Sequence, residues 1–261
     1  MATATATAVA EERLLAALVY LQCAAGCLLL GLNQYRNSPY GRQATPSCRL
    51  RVPARVAWAV QELPSLALPL YQCASESAPR LRDAPNCILL AMFLIHYVHR
   101  SLIYPFLIRG GTPMPLFACI LAIMFCTSNG YLQSRYLSHC AVYADDWLRD
   151  PRFLVGFGLW LMGMLINIHS DHILRNLRKP GGTGYKIPRG GLFEYVTAAN
   201  YFGEIVEWGG YALASWSVEG AAFAFFTFCF LSGRAKGHHQ WYLQNFEEYP
   251  KFRKILIPFL F

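Results

Sequence analysis

The side chains able to do chemistry fall on a few faces separated by apolar sequence. Asn167, Asp171 and Arg178 are spaced so that, at about 100° per residue, they share one side of a helix. Asn200, Glu204, Glu207 and Tyr211 repeat the device in a segment otherwise made mostly of Val, Ala, Phe, Ile and Trp. A carboxylate in such a segment costs about 2.5–3.5 kcal/mol at a bilayer centre, so it faces a partner or a wet cavity. Between these two faces Arg175, Arg178, Lys179, Lys186 and Arg189 surround a glycine-rich loop. Their charge suits phosphate groups; it would equally fix topology, with the helix faces locking together as a polar seam.

Earlier in the chain, Gln61 and Glu62 stand just before Pro64, with Pro69 a little over one turn on, so this polar pair is expected at a kink. An acid there can hold or donate a proton. Tyr97 and Tyr104, seven residues apart, lie on one side of the next apolar segment, with Arg100 close to that side. A buried tyrosine can polarise a carbonyl oxygen and offer it a proton if its hydroxyl is anchored, and Glu62 is the candidate anchor. Each residue taken singly also reads as a helix contact or a core aromatic. Near the C-terminus Arg234, His238 and Tyr242 recur every four residues as a polar ridge. The loop GGTGYKIPRGG has neither the GxGxxG order nor a GK[ST], so a nucleotide site would have to be assembled from helix side chains. A phosphorylated cofactor delivering hydride from the wet side, and a tyrosine polarising a carbonyl in the apolar part, together describe reduction of a conjugated carbonyl.

These faces need a scaffold, and composition points to a membrane bundle. Of 261 residues, 55% are hydrophobic. Apolar runs at 14–32, 54–74, 86–108, 115–132, 153–168, 195–216 and 218–231 approach or reach the roughly 20 residues that cross a bilayer, the last being short. The fold class expected is therefore all-α, a polytopic seven-transmembrane-helix bundle. Arg36, Arg42, Arg49 and Arg51, then Arg109, then the basic residues between 175 and 189, then Arg234, Lys236, Lys251, Arg253 and Lys254 fall in alternate loops and the tail. The intervening loops carry Arg80 and Arg82, then Arg135, Arg149 and Arg152 offset by Asp145, Asp146 and Asp150. The positive-inside rule places the first set in the cytosol, with the N-terminus luminal, the C-terminus cytosolic and the first span uncleaved.

That bias accounts for the net charge of +8, and no nucleic-acid partner is expected. The nine cysteines include no CxxC pair, and most sit in apolar spans as small core residues. His96/His99, His169/His172 and His238/His239 form three pairs, too few for a membrane di-iron oxygenase, so no metal is expected. A non-enzymatic seven-span lipid-binding or transport protein fits the composition but leaves the basic loop and buried acids without a specific role.

The stretches NIHSDHILRNLRKPG, YKIPRGGLFEYVTAANYFGEIVEWGGYAL and YPKFRKILIPFLF resemble the membrane-embedded steroid 5α-reductases, the 3-oxo-5α-steroid 4-dehydrogenases. WAVQELPSLALPLY and FLIHYVHR extend the resemblance, closest to the family's type 1 group, over nearly the whole chain. It implies a single membrane-embedded reductase domain over 1–261 in the endoplasmic reticulum, acting on a small-molecule steroid with NADPH, without an obligate protein partner. The steroid pocket would come mainly from the N-terminal half and the NADPH site, facing the cytosol, mainly from 160–245. Hydride would pass to C5 of a 3-keto-4-ene steroid such as testosterone or progesterone, while Glu62 and Tyr97 hold the 3-keto oxygen. Trp58 and Gln61 would lie near the steroid or nicotinamide. Asn167, Asp171, Arg178, Tyr185, Asn200, Glu204, Arg234, His238 and Tyr242 would bind the cofactor. Very-long-chain enoyl-CoA reductases, polyprenol reductase and isoprenylcysteine methyltransferases share the C-terminal pattern, so that half alone leaves the substrate open. Two positions depart from the pattern: Thr112 follows Arg109-Gly110-Gly111 where a basic residue is expected, and the tail reads AKGHHQWY where acids would flank the histidines.

Overall fold

The computed structural model describes residues 2–35, 50–74, 78–177 and 184–261. Seven long helices run through them: α1 (Ala2–Tyr35), α2 (Ala54–Ala74), α3 (Ala84–Leu107), α4 (Leu116–Cys140), α5 (Pro151–Asn176), α6 (Ala199–Ser215) and α7 (Val218–Asn245). A two-residue antiparallel pair, β1 (Arg51–Val52) with β2 (Met114–Pro115), ties the entry of α2 to that of α4. Among the described residues, four helical segments are long and apolar enough to cross a membrane: Val9–Leu32, Ala84–Leu107, Leu116–Cys140 and Pro151–Asn176. The polarity is arranged for lipid. Leu21, Leu121, Met124, Leu154 and Leu165 are exposed, whereas Asn129, Gln133, Asn167, Asp171 and Glu207 are buried. The chain is a membrane protein.

Local chemistry sets the helix ends. Asp150 caps α5 by accepting from the Arg152 N–H at 2.8 Å, with Pro151 at the first turn, where its missing N–H costs nothing. The Arg152 hydrogen bonds hold the Asp150 carboxyl well below the usual carboxylate range, at about 2. Trp216 takes the left-handed conformation (φ 43°) that ends α6, and Ser217 then caps α7 through the Gly220 N–H at 3.0 Å. Two helices run beyond their apolar stretches. α5 continues to Asn176 and α7 to Asn245; of the polar residues added there Ser170, Asp171, Ser232 and Tyr242 are buried, while His169, His172 and Asn245 are exposed. Arg234, His238 and Tyr242 thus stand on α7 itself, not in a separate tail.

Packing follows the small residues. α5 and α6 lie antiparallel with their backbones nearly touching: Gly156 abuts Gly210 and Ala214, and Gly163 abuts Gly203 and Glu207. Gly130 of α4 sits against the backbone of Pro64 and Ser65 in α2, and the Ser65 hydroxyl donates to the Cys126 carbonyl at 2.9 Å. α2 stays helical through Pro64 and Pro69. The largest core cluster joins α3, α6 and α7 through Phe93, Tyr97, Trp208, Tyr211 and Phe223. The C-terminal segment folds back on the loop before α6, where the Thr197 N–H donates to the Lys254 carbonyl at 2.9 Å.

Candidate active site

The glycine seam puts the polar ends of α5 and α6 side by side. Asn167 Nδ2 donates to the Asn200 carbonyl at 2.9 Å and to Glu204 Oε2 at 3.5 Å, and Asn200 Nδ2 donates to Asp171 Oδ1 at 3.1 Å. Asn167 and Asp171 of the first expected face and Asn200 and Glu204 of the second therefore form one network. Its cation comes from α3: Arg100 Nη1 donates to Asp171 Oδ2 at 3.0 Å, and Arg100 Nη2 lies 3.6 Å from Glu204 Oε2. Arg100 sits in a π-helical turn, His99–Ile103, and is only 7% exposed. The flat guanidinium also lies over the Trp58 ring at 4.6 Å and the Tyr104 ring at 4.9 Å, and those two rings meet edge to face at 5.2 Å.

Beside this network a second buried pair joins α3 to α6. His96 Nδ1 and Glu207 Oε1 are 2.7 Å apart, with both side chains sealed from solvent. Glu207 therefore leaves the face it shares in sequence with Glu204 and pairs elsewhere. Tyr211, on that same face, reaches Gln133 Oε1 at 3.4 Å instead of the Asn200–Glu204 group.

Tyr97 is buried between Phe93, at 4.6 Å between ring centroids, and Trp208, at 6.0 Å. Its polar neighbours are Ser65, Cys126, Glu62 and Glu204. Glu62 does not anchor the hydroxyl directly: its carboxylate accepts from Gln61 Nε2 at 3.3 Å and from Cys126 Sγ at 3.7 Å. Among the described residues no hydrogen bond joins Glu62 to Tyr97. Gln61 is buried, and its Oε1 has no hydrogen-bond partner among the described residues.

The remaining expected residues form an outer group around α7. His238 Nε2 lies 3.2 Å from the Tyr201 hydroxyl, and Arg234 stacks toward the Tyr201 and Phe230 rings at 5.9 and 5.4 Å. Tyr201 adjoins Asn200, so this group borders the network. Tyr185 meets Trp241 edge-on at 5.0 Å, and Tyr242 stacks on Tyr249 at 5.1 Å and donates to the Lys186 carbonyl at 3.5 Å. Arg178 lies outside the described residues. Arg109 Nη1 donates to Asn176 Oδ1 at 3.1 Å, so the loop that ends in Thr112 reaches the end of α5.

Arg100, His96, Ser65 and Cys126 are absent from the residues expected at the site, yet they complete it. A signal existed for Arg100: a guanidinium within an apolar helix needs buried carboxylates, and Asp171 and Glu204 need a cation. For Ser65 and Cys126 there was none.

Buried carboxylates gathered around one arginine, next to a tyrosine packed among aromatic rings, give this helical membrane bundle a polar centre. Residues 112–261 match the family described as 3-oxo-5-alpha-steroid 4-dehydrogenase, and the chain belongs to that family. It is 84% identical over 258 residues to 3-oxo-5-alpha-steroid 4-dehydrogenase 1 of Homo sapiens, covering 99% of this chain and 100% of the relative. The Macaca fascicularis form of the same enzyme is 82% identical, with 100% of both chains covered. The Homo sapiens 3-oxo-5-alpha-steroid 4-dehydrogenase 2 is 50% identical over 89% of this chain and 91% of its own.

Proposed function

We propose that the chain reduces the 4,5 double bond of 3-keto-4-ene steroids, such as testosterone and progesterone, with NADPH as hydride donor. Family membership supports the reaction class, and the names of the relatives at 82–84% identity support the substrate. The observation that carries the reading is Tyr97, a phenol 3% exposed in an aromatic cage, with Glu62 as its near carboxylate. Aromatic walls suit a flat steroid ring. A phenol at their end can donate to the 3-keto oxygen and stabilise the charge that gathers there. Glu62 and Gln61 complete this polar end, while Trp58 borders it through Arg100.

The donor set fits NADPH. The buried acceptor Gln61 Oε1 suits a carboxamide N–H, and Asn167, Asp171, Asn200 and Glu204 offer amides and carboxylates for a carboxamide and ribose hydroxyls. Arg109, Arg175, Arg178, Lys186 and Arg189 supply charge for phosphates, and Tyr185, Arg234, His238 and Tyr242 would line the outer part. When bound, the cofactor would supply the hydride that adds to C5 as the 4,5 π bond opens onto the 3-keto oxygen, and C4 then takes a proton from water. The chain's own residues bind, orient and exclude water, and Tyr97 holds its proton against the steroid O3 atom. In this reading the bundle has seven spans in the endoplasmic reticulum, the N-terminus luminal and the cofactor site cytosolic.

The test is product analysis by mass spectrometry from membranes expressing the chain, given NADPH with testosterone or with a long-chain trans-2-enoyl-CoA. NADPH-dependent 5α-dihydrotestosterone is the expected product. Reduction of the enoyl-CoA alone would move the chain to a sister activity, and product from neither would sink the enzymatic reading.

A further inference from the structure

Arg100 is where the two halves of the bundle meet through a single rigid group. The edge of its guanidinium faces Asp171 on α5 and Glu204 on α6, at 3.0 and 3.6 Å. Its central carbon lies over the rings of Trp58 on α2 and Tyr104 on α3, 4.6 and 4.9 Å from their centroids, the two rings standing 76° apart. Because the guanidinium is planar, its edge and face cannot turn independently. Whatever fixes the carboxylates also fixes the guanidinium against which Trp58 and Tyr104 pack. The π-helical turn His99–Ile103 that carries Arg100 adds a local irregularity of the kind often found at functional sites.

We propose that Arg100 is a positioning residue that couples the cofactor half of the site to the steroid half. The inference rests on the proposed function, in which Asp171 and Glu204 face NADPH and Trp58 borders the steroid. A ligand that orders Asp171 and Glu204 locks the guanidinium plane, and the locked plane sets Trp58 and Tyr104 for the steroid. Coupling of this kind is reciprocal: cofactor tightens steroid by the same factor as steroid tightens cofactor. Lysine would keep the positive charge but lose both the plane and the two-pronged edge, so Arg100→Lys separates orientation from charge.

The experiment measures equilibrium binding of radiolabelled testosterone to the purified full chain in lipid nanodiscs, with and without saturating NADP+, which permits no turnover. Wild type is expected to bind steroid about tenfold more tightly with NADP+, within the 5–150-fold range usual for coupled sites. In Arg100→Lys the ratio is expected to fall to about one, while each ligand alone still binds. Glu204→Gln keeps the side-chain shape and removes one partner of the edge. It should lose the coupling too, and it serves if the lysine variant fails to fold. A wild-type ratio retained by either folded variant overturns the proposal, as does a wild-type ratio of one. Failure of wild type to bind steroid or NADP+ overturns the functional reading itself, a result distinct from two bound ligands without coupling.

Discussion

A Cβ on Gly163 would lie 2.5 Å from the Gly203 carbonyl oxygen, and one on Gly203 would lie 2.8 Å from the Gly163 carbonyl oxygen. Each glycine is thus the space that the other helix occupies. This contact sets the register that brings Asn167 and Asp171 opposite Asn200 and Glu204. Gly163→Ala should force α5 and α6 apart, at a cost of about 1–3 kcal/mol or more for overpacking, and should lower activity further by splitting the network. Gly158, on the same helix with nothing within 4 Å of its Cβ position, is the control. Gly158→Ala should be neutral or slightly stabilising. Thermal unfolding of both variants in detergent checks the contrast, and equal behaviour would remove the seam from the argument.

His96 and Glu207 present a different case, since both are sealed from solvent and Glu207 Oε2 has no partner among the described residues. Removing one member leaves the other polar and buried. His96→Ala should cost about 3–5 kcal/mol, the usual penalty for breaking a buried pair. Replacing both residues with leucine should be less damaging than that single change, because no polar group is then stranded. A double variant less stable than His96→Ala would argue that the pair contributes net stability.

Much of this site is legible from helical periodicity. Asn167 and Asp171, and Asn200 and Glu204, can be placed on faces because a four-residue spacing is a local property of one helix. Their joining into one network follows from Gly156, Gly163, Gly203 and Gly210, each pair seven residues apart, a spacing in the sequence that does not by itself name the helix it meets. What periodicity cannot supply is a partner on another helix. Arg100 is 71 residues from Asp171, and His96 is 111 from Glu207. Glu62 and Tyr97 reach the same region, where the Glu62 carboxylate accepts from Cys126 and Gln61, contacts that helical spacing alone does not name. Tyr211 shows the limit from the other side, since residues on one helical stripe drift to different neighbours over three turns.

The loop before α6 offers a pH test outside the membrane. Glu194 accepts from the Gly190 N–H at 2.6 Å and lies near Arg253 at 3.4 Å and Arg189 at 4.0 Å. The Gly190 bond first, and the two arginines after it, hold its carboxyl below the usual carboxylate range. A lowered folded value means that Glu194 stabilises the fold above its unfolded pKa and that this stabilisation is lost as pH falls through the folded value. Wild type should therefore unfold at a higher temperature than Glu194→Gln at neutral pH, and the gap should close on acidification below about 4. A gap that widens in acid would reverse the sign and reject this account.

Tyr97 and Glu62 carry the last prediction, which depends on the proposed reduction. If both serve the same 3-keto oxygen, Tyr97→Phe removes the donor while leaving the aromatic packing against Phe93 and Trp208 intact. Turnover should fall by about 10²–10⁴, the usual worth of a positioned proton donor, with NADPH affinity unchanged within about twofold. Glu62→Gln keeps the volume and removes the charge beside the phenol, so it should also lower turnover. The decisive variant is the double. Two groups acting on one oxygen are not additive, so the double change should be little worse than Tyr97→Phe alone. Independent roles would multiply the two losses. Single-turnover product formation distinguishes the outcomes, and multiplied losses would place Glu62 in cofactor or substrate binding, away from the phenol.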